Sequence, residues 1–104
     1  ELRMEICQFS YSVNQTVKPK VQVQVGVVAS GDLEVLLVSD ESKELKVSVI
    51  SSADNSKARW DALFKRLVTQ DDFFGAQMTI HDFGATPGVA RLRIEQSLEE
   101  ARHD

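Results

Sequence analysis

The chain has 104 residues, a net charge of −4 and a single cysteine, Cys7. That length points to one domain, residues 1–104, with a modest core, and one cysteine excludes an internal disulfide. The acidic balance, with a pI near 5.1, gives no electrostatic reason to bind nucleic acid. No stretch approaches a membrane span or an export signal, so the expected compartment is the cytoplasm. One cysteine and two histidines, His81 and His103, argue against a dedicated zinc site.

Residues 1–20 are poorly patterned and end at Pro19. Met4 is the expected natural start, with Glu1 to Arg3 as added residues, and Ile6 to Val13 is a candidate short edge strand. The pattern then sharpens. Val21 to Val28 (VQVQVGVV) alternates at period two and predicts a half-buried strand. Leu33 to Val38 predicts a second strand with Leu33, Val35 and Leu37 on one face. After the polar turn SDESKE, Leu45 to Ile50 predicts a third. The short connections favour an antiparallel meander.

The segment SSADNS offers helix N-caps, and the period changes after it. Trp60, Leu63, Phe64, Leu67 and Val68 make one apolar helical stripe. Ala76 to Ile80 predicts a fourth strand. In the segment that follows, Thr86 and Pro87 make a cap and first-turn pair for a last helix with Ala90, Ile94, Leu98 and Ala101 on one face. Arg91 and Arg93, followed by Glu95, Glu99 and Glu100, read as a solvated or partner-facing surface. The expected fold is α+β: a two-layer sandwich with a mostly antiparallel four-stranded sheet, two helices on one face and the order βββαβα.

Ser30 and Gly31 fit a two-residue hairpin loop with the serine at its tip, Gly31 supplying a positive φ and Asp32 beside them. On physics alone this is a plain turn. DFG at Asp82 to Gly84 is too isolated to be a kinase motif, and Gly84 and Gly88 are read as permitting tight backbone. Ser30, His81 and Asp82 do not make a hydrolase triad, because adjacent strand residues point to opposite sides and no nucleophile elbow is present. Cys7 is read as an inert thiol.

Two stretches far apart in sequence, VVASGDLEVLL and HDFGATPGVARLRIEQSLEEA, together resemble the acyl carrier protein, or delta subunit, of biotin-independent malonate decarboxylase. The citrate lyase acyl carrier is a more distant likeness. The resemblance covers the chain from about Val23 onward. It implies a phosphodiester from Ser30 to a phosphoribosyl-dephospho-coenzyme A arm, with 2'-(5''-triphosphoribosyl)-3'-dephospho-CoA as the covalently attached cofactor. Gly31 and Asp32 would support the turn. The arm's thiol would carry acetyl and malonyl, in malonate catabolism, between an acyl-transferase (alpha) subunit and the decarboxylase (beta and gamma) subunits. A prosthetic-group transferase would install the arm, and the carrier itself would be non-catalytic. This is not the helical phosphopantetheine carrier type, since the serine lies between strands and no DSL motif occurs. The alternative readings are an unmodified α+β protein-interaction adaptor, a citrate-lyase-type carrier and, in third place, a small hydrolase.

Overall fold

The computed structural model describes residues 4–51, 56–70 and 72–103. Seven elements follow one another: β1 (Glu5–Ser12), β2 (Gln22–Gly26), β3 (Leu33–Ser39), β4 (Glu44–Ser51), α1 (Lys57–Gln70), β5 (Ala76–Asp82) and α2 (Pro87–Arg102). The strands form a five-stranded sheet in the order β1-β4-β5-β3-β2. All neighbours are antiparallel except β4 and β5, which are parallel. The expected α+β class, both helices and a mostly antiparallel sheet are present, but the count of four strands and the meander order are corrected.

First, Glu5–Ser12 holds the expected edge position but counts as a full fifth strand, paired along its length with β4. Its pattern was weak because Cys7, Phe9 and Tyr11 face the helices while Ile6 stays 66% exposed on the other face. Second, β3 and β4 are not neighbours, because β5 lies between them. The four-residue link 40–43 must therefore step over one strand, a gap of about 9–10 Å. It does so by passing across Gly75: Asp40 N–H donates to the Gly75 carbonyl at 3.1 Å, and a Cβ on Gly75 would fall 1.7 Å from the Ser42 carbonyl oxygen. Asp40 Oδ1 accepts from the Ser42 amide and hydroxyl and fixes the step. A short connection implies adjacent strands only when no later strand fits between them, and here one does.

In-register pairing puts Leu33, Val35 and Leu37 of β3, Leu45, Val47 and Val49 of β4, and Ala76, Met78 and Ile80 of β5 on one face. All nine are at most 1% exposed. Both helices cover this face, as expected. α2 lies over β2 and β3 through Ala90, Ile94, Leu98 and Ala101, while α1 lies beside β1 through Trp60, Leu63, Phe64 and Leu67. Phe64 is fully buried and its ring meets those of Phe9, Tyr11, Trp60 and Phe73. The Tyr11 hydroxyl donates to Asp61 at 2.8 Å, tying β1 to α1, and burial with that bond raises its pKa well above the usual phenol range. Of the expected cap candidates in SSADNS, Ser52 to Asn55 lie outside the described residues, like Glu1 to Arg3, while Ser56 is buried immediately before α1 and its carbonyl accepts from Trp60 N–H at 3.0 Å.

Among the described residues, the other sheet face carries no helix. It alternates polar side chains such as Gln24, Glu34 and His81 with Ile6, Leu36 and Val38. No described helix is long and apolar enough to cross a membrane.

Phe64→Ala empties the point where four other rings meet. Urea denaturation should show a loss of about 3–5 kcal/mol, a large part of the 5–15 kcal/mol or so available to a domain of this size.

Candidate functional site

Ser30 lies in the link between β2 and β3, and the link differs from the expected two-residue hairpin. The strand read as Val21 to Val28 ends at Gly26, whose φ of +87° turns the chain out of the sheet. No side chain fits at this exit, since a Cβ on Gly26 would lie 2.0 Å from the Leu33 carbonyl oxygen. Residues 27–32 therefore form a six-residue loop, and Val27 and Val28 stand 52% and 66% exposed in it.

Within the loop, Asp32 N–H donates to the Ala29 carbonyl at 3.1 Å, closing a β-turn with Ser30 and Gly31 at its centre. Gly31 has φ +81°, and Ser30 is not among the residues of positive φ. Positive φ at the third position alone defines a type II turn, which favours glycine there. The expectation for Gly31 holds in sign, within a longer loop. Ser30 is exposed and its hydroxyl has no hydrogen-bond partner among the described residues. Around Gly31 the space is open, with nothing within 4 Å of a Cβ built there. A bulky group on Ser30 Oγ meets no obstruction on that side.

The base of the turn is held from two directions. The β3–β5 ladder continues past its last strand pair: Gly31 N–H donates to the Phe83 carbonyl at 2.8 Å, and Phe83 N–H donates to the Asp32 carbonyl at 3.0 Å. From the helix layer, Arg93 of α2 grips both oxygens of Asp32, Nε to Oδ1 at 3.2 Å and Nη2 to Oδ2 at 2.8 Å. Oδ1 also accepts the Leu33 amide at 2.7 Å. Two parallel charge-assisted bonds fix orientation as well as distance. Arg93 and then the Leu33 amide hold the Asp32 carboxyl below the usual carboxylate range, and Asp32 raises the Arg93 guanidinium in turn.

The expected solvated or partner-facing surface does not describe Arg93, which is bonded within the chain to Asp32 of the turn, 61 residues away. No local signal pointed to it. The conjunction of the two resembling stretches was the available hint, and they do meet in space.

The 83–86 loop is built by Asp82. Its Oδ1 accepts the amides of Gly84 and Ala85 at 3.1 and 3.0 Å, and its Oδ2 accepts from Ser51 Oγ at 3.1 Å. Gly84 has φ +89° and lies beside the Gly31 amide, so its backbone role stands; Gly88 has open space and no positive φ, so its expected need for tight backbone is corrected. Thr86 caps α2 as expected, accepting from Val89 N–H at 3.2 Å, with Pro87 first in the helix.

His81 and Asp82 point to opposite faces. Asp82 is buried on the helix side, while His81 Nδ1 lies 3.4 Å from Glu34 on the open side. Ser30, His81 and Asp82 thus do not assemble as a catalytic triad. Cys7 is buried under the helices.

The site is an exposed serine hydroxyl on a braced turn of a small α+β sandwich, and comparisons with known proteins give the family. Residues 20–101 match the family described as ACP: malonate decarboxylase delta subunit (MdcD). The malonate decarboxylase acyl carrier protein of Klebsiella pneumoniae is 58% identical over 78 residues, 75% of this chain and 79% of the relative. That of Stutzerimonas stutzeri (strain A1501) is 45% identical over 101 residues, covering 97% and 100%. A chain in the crystal structure of a Pseudomonas malonate decarboxylase hetero-tetramer in complex with malonate superposes with a TM-score of 0.85 at 42% identity, covering 93% of this chain and 98% of that one. The protein belongs to the malonate decarboxylase acyl carrier protein family and is an acyl carrier subunit of malonate decarboxylase.

Arg93→Met keeps much of the stem packing and leaves Asp32 with only the Leu33 amide. Amide hydrogen exchange at Gly31 and Asp32 should speed up while the core of β3 is unchanged. The Asp32 pKa is depressed on folding, so its stabilisation is present above the unfolded carboxylate pKa of about 4 and is lost as pH falls through the lowered folded value. Urea midpoints measured from about pH 5 down to pH 3 should drop in the parent and show a shallower fall in Arg93→Met.

Proposed function

We propose that Ser30 is the attachment point of the carrier's prosthetic group, a phosphoribosyl-dephospho-coenzyme A joined to Oγ through a phosphodiester. The observation that carries this reading is the unpartnered, exposed Ser30 hydroxyl on a turn whose base is fixed by Phe83 and Arg93. When bound, the group supplies a terminal thiol that holds acetyl or malonyl as a thioester. The chain's own contribution is position. Gly31 leaves room beside the root of the arm, Asp32 and Arg93 hold the root still, and the exposed Val27 and Val28 flank it as an apolar lip for whichever active site receives the arm.

The carrier breaks no bonds itself. Among the described residues the Ser30 hydroxyl has no hydrogen-bond partner, and His81 lies on the other sheet face, 3.4 Å from Glu34. Tethering gives each partner site a high effective concentration of thioester, and the cofactor brings the reactivity. We assign it to a cytoplasmic assembly with acyl-transferase and decarboxylase subunits, served by a prosthetic-group transferase. The Pseudomonas chain it superposes on belongs to a malonate decarboxylase hetero-tetramer, which supports that setting.

The test is the intact mass of the chain purified from its native cells, with the modified peptide located by fragmentation. A mass increase equal to phosphoribosyl-dephospho-coenzyme A, mapped to Ser30 and absent in Ser30→Ala, is expected. Ser30→Ala should fold within about 0.5 kcal/mol of the parent, as exposed substitutions do, and lose all malonate decarboxylation in the assembled enzyme. An unmodified chain from cells with active transferase, or full activity in Ser30→Ala, overturns the assignment in favour of an unmodified adaptor.

A further inference from the structure

A cleft of about 220 Å³ lies between α1, the 83–86 loop and the first turn of α2. Trp60, Leu63, Ala85 and Ala90 give it an apolar floor, and Arg59 and Arg66 line it from α1. The two arginines are seven residues apart, close to two helical turns, so they share one flank of α1. Neither has an acidic partner among the described residues, whereas Arg91 and Arg93 of α2 are engaged with Glu95 and Asp32. Asp82 also borders the cleft, but both its oxygens already accept hydrogen bonds. A chain of net charge −4 thus gathers two unpaired guanidiniums over an apolar surface. That combination suits a ligand with phosphate at one part and apolar or aromatic surface at another.

The cleft also lies within reach of Ser30. Gly31 N–H is bonded to the Phe83 carbonyl, and Phe83 is two residues from Ala85 in the cleft wall. Standard backbone lengths then put the Ser30 and Ala85 Cα atoms no more than about 15 Å apart. Phosphoribosyl, nucleotide and pantetheine units joined in series span such a distance.

The geometry points to this cleft as the resting seat of the arm on its own carrier. Arg59 and Arg66 hold its phosphates, and Trp60 with Leu63 covers part of its uncharged length. The inference rests on the reading of Ser30 as the attachment point. The seat is weak by construction. Both arginines are solvent-exposed, and exposed ion pairs shift an equilibrium by no more than about fivefold each. A weak seat is what the cycle requires, because the arm must leave for each partner, yet it shields the thioester between visits.

The experiment uses the full isotope-labelled chain with and without its arm, the loading and its position verified by mass. Backbone amide signals of Arg59, Leu63, Arg66 and Ala85 should differ between the two forms, in addition to those beside Ser30. In loaded Arg59→Gln/Arg66→Gln the cleft signals should return toward the unloaded positions, and iodoacetamide should alkylate the arm's thiol faster, by up to about fivefold for each arginine removed. Differences confined to residues 28–33 in verified loaded protein, or an unchanged alkylation rate, overturn the seat while leaving Ser30 as attachment point. If mass shows that the arm is not on Ser30, that assignment fails separately. Free 3'-dephospho-coenzyme A titrated into unloaded protein then decides whether the cleft binds the nucleotide. Saturable shifts at the same four amides, weakened by salt, support the site, and their absence at millimolar concentration overturns it.

Discussion

Everything at the Ser30 end depends on the β3–β5 ladder continuing beyond the sheet. Strand pairing formally stops at Leu33 and Asp82, yet two further backbone bonds join residues 31 and 32 to Phe83. Those bonds exist because β5 is central, with β3 on one side and β4 on the other. The serine turn therefore grows from the best-supported part of the fold, although it sits at the surface. Loops that merely connect edge strands open locally at little cost; this one is continuous with buried β structure at its base and free only at its tip. Arg93 adds a second, independent restraint from the helix layer.

The sequence showed those parts of this arrangement that depend on local chemistry. The stripe from Trp60 to Val68, the alternation of β3 and β4, the Thr86 cap and the glycine after Ser30 each reflect interactions within a few residues. What escaped notice depends on distant neighbours. β1 has one face under the helices through Cys7, Phe9 and Tyr11, but Ile6 faces outward, which blurs the alternation. The placement of β5 is set by a backbone crossing at Gly75, where nothing but hydrogen fits beneath Ser42. Gly26 looked like one small residue in a valine strand, and its positive φ ends that strand two residues early. Arg93 looked like one basic residue among several. Only the helix packing that brings α2 over β3 shows which of them meets Asp32.

Charge is divided in the same way. The acidic total of the chain says little about the site, where positive groups do the positioning. Arg93 neutralises the one carboxylate of the serine turn, and Asp82 spends its charge on backbone amides. Among the described residues, both carboxylates at the base of the turn where an anionic phosphodiester is proposed to attach are committed to hydrogen bonds, and two guanidiniums without an acidic partner line the cleft alongside. Net charge acts at long range on solubility and encounter, whereas binding at a surface site is decided within a Debye length of about 8–10 Å.

A carrier faces two opposed demands, and the structure separates them along the chain. Productive transfer requires the root of the arm to be presented at a fixed angle, because small misplacements at a distant reacting atom are costly. Delivery to several sites requires that the far end move freely. Rigidity at the root comes from backbone bonds and a two-pronged ion pair, which do not need to break during the cycle. Mobility belongs to the proposed arm, and the exposed arginines proposed to seat it are placed to hold it weakly. A tighter cleft would lower the effective concentration of thioester at each partner, and a looser turn would spread the same arm over unproductive directions. The strong contacts therefore belong beneath Ser30 and the weak ones beyond it, which is how the side chains are distributed.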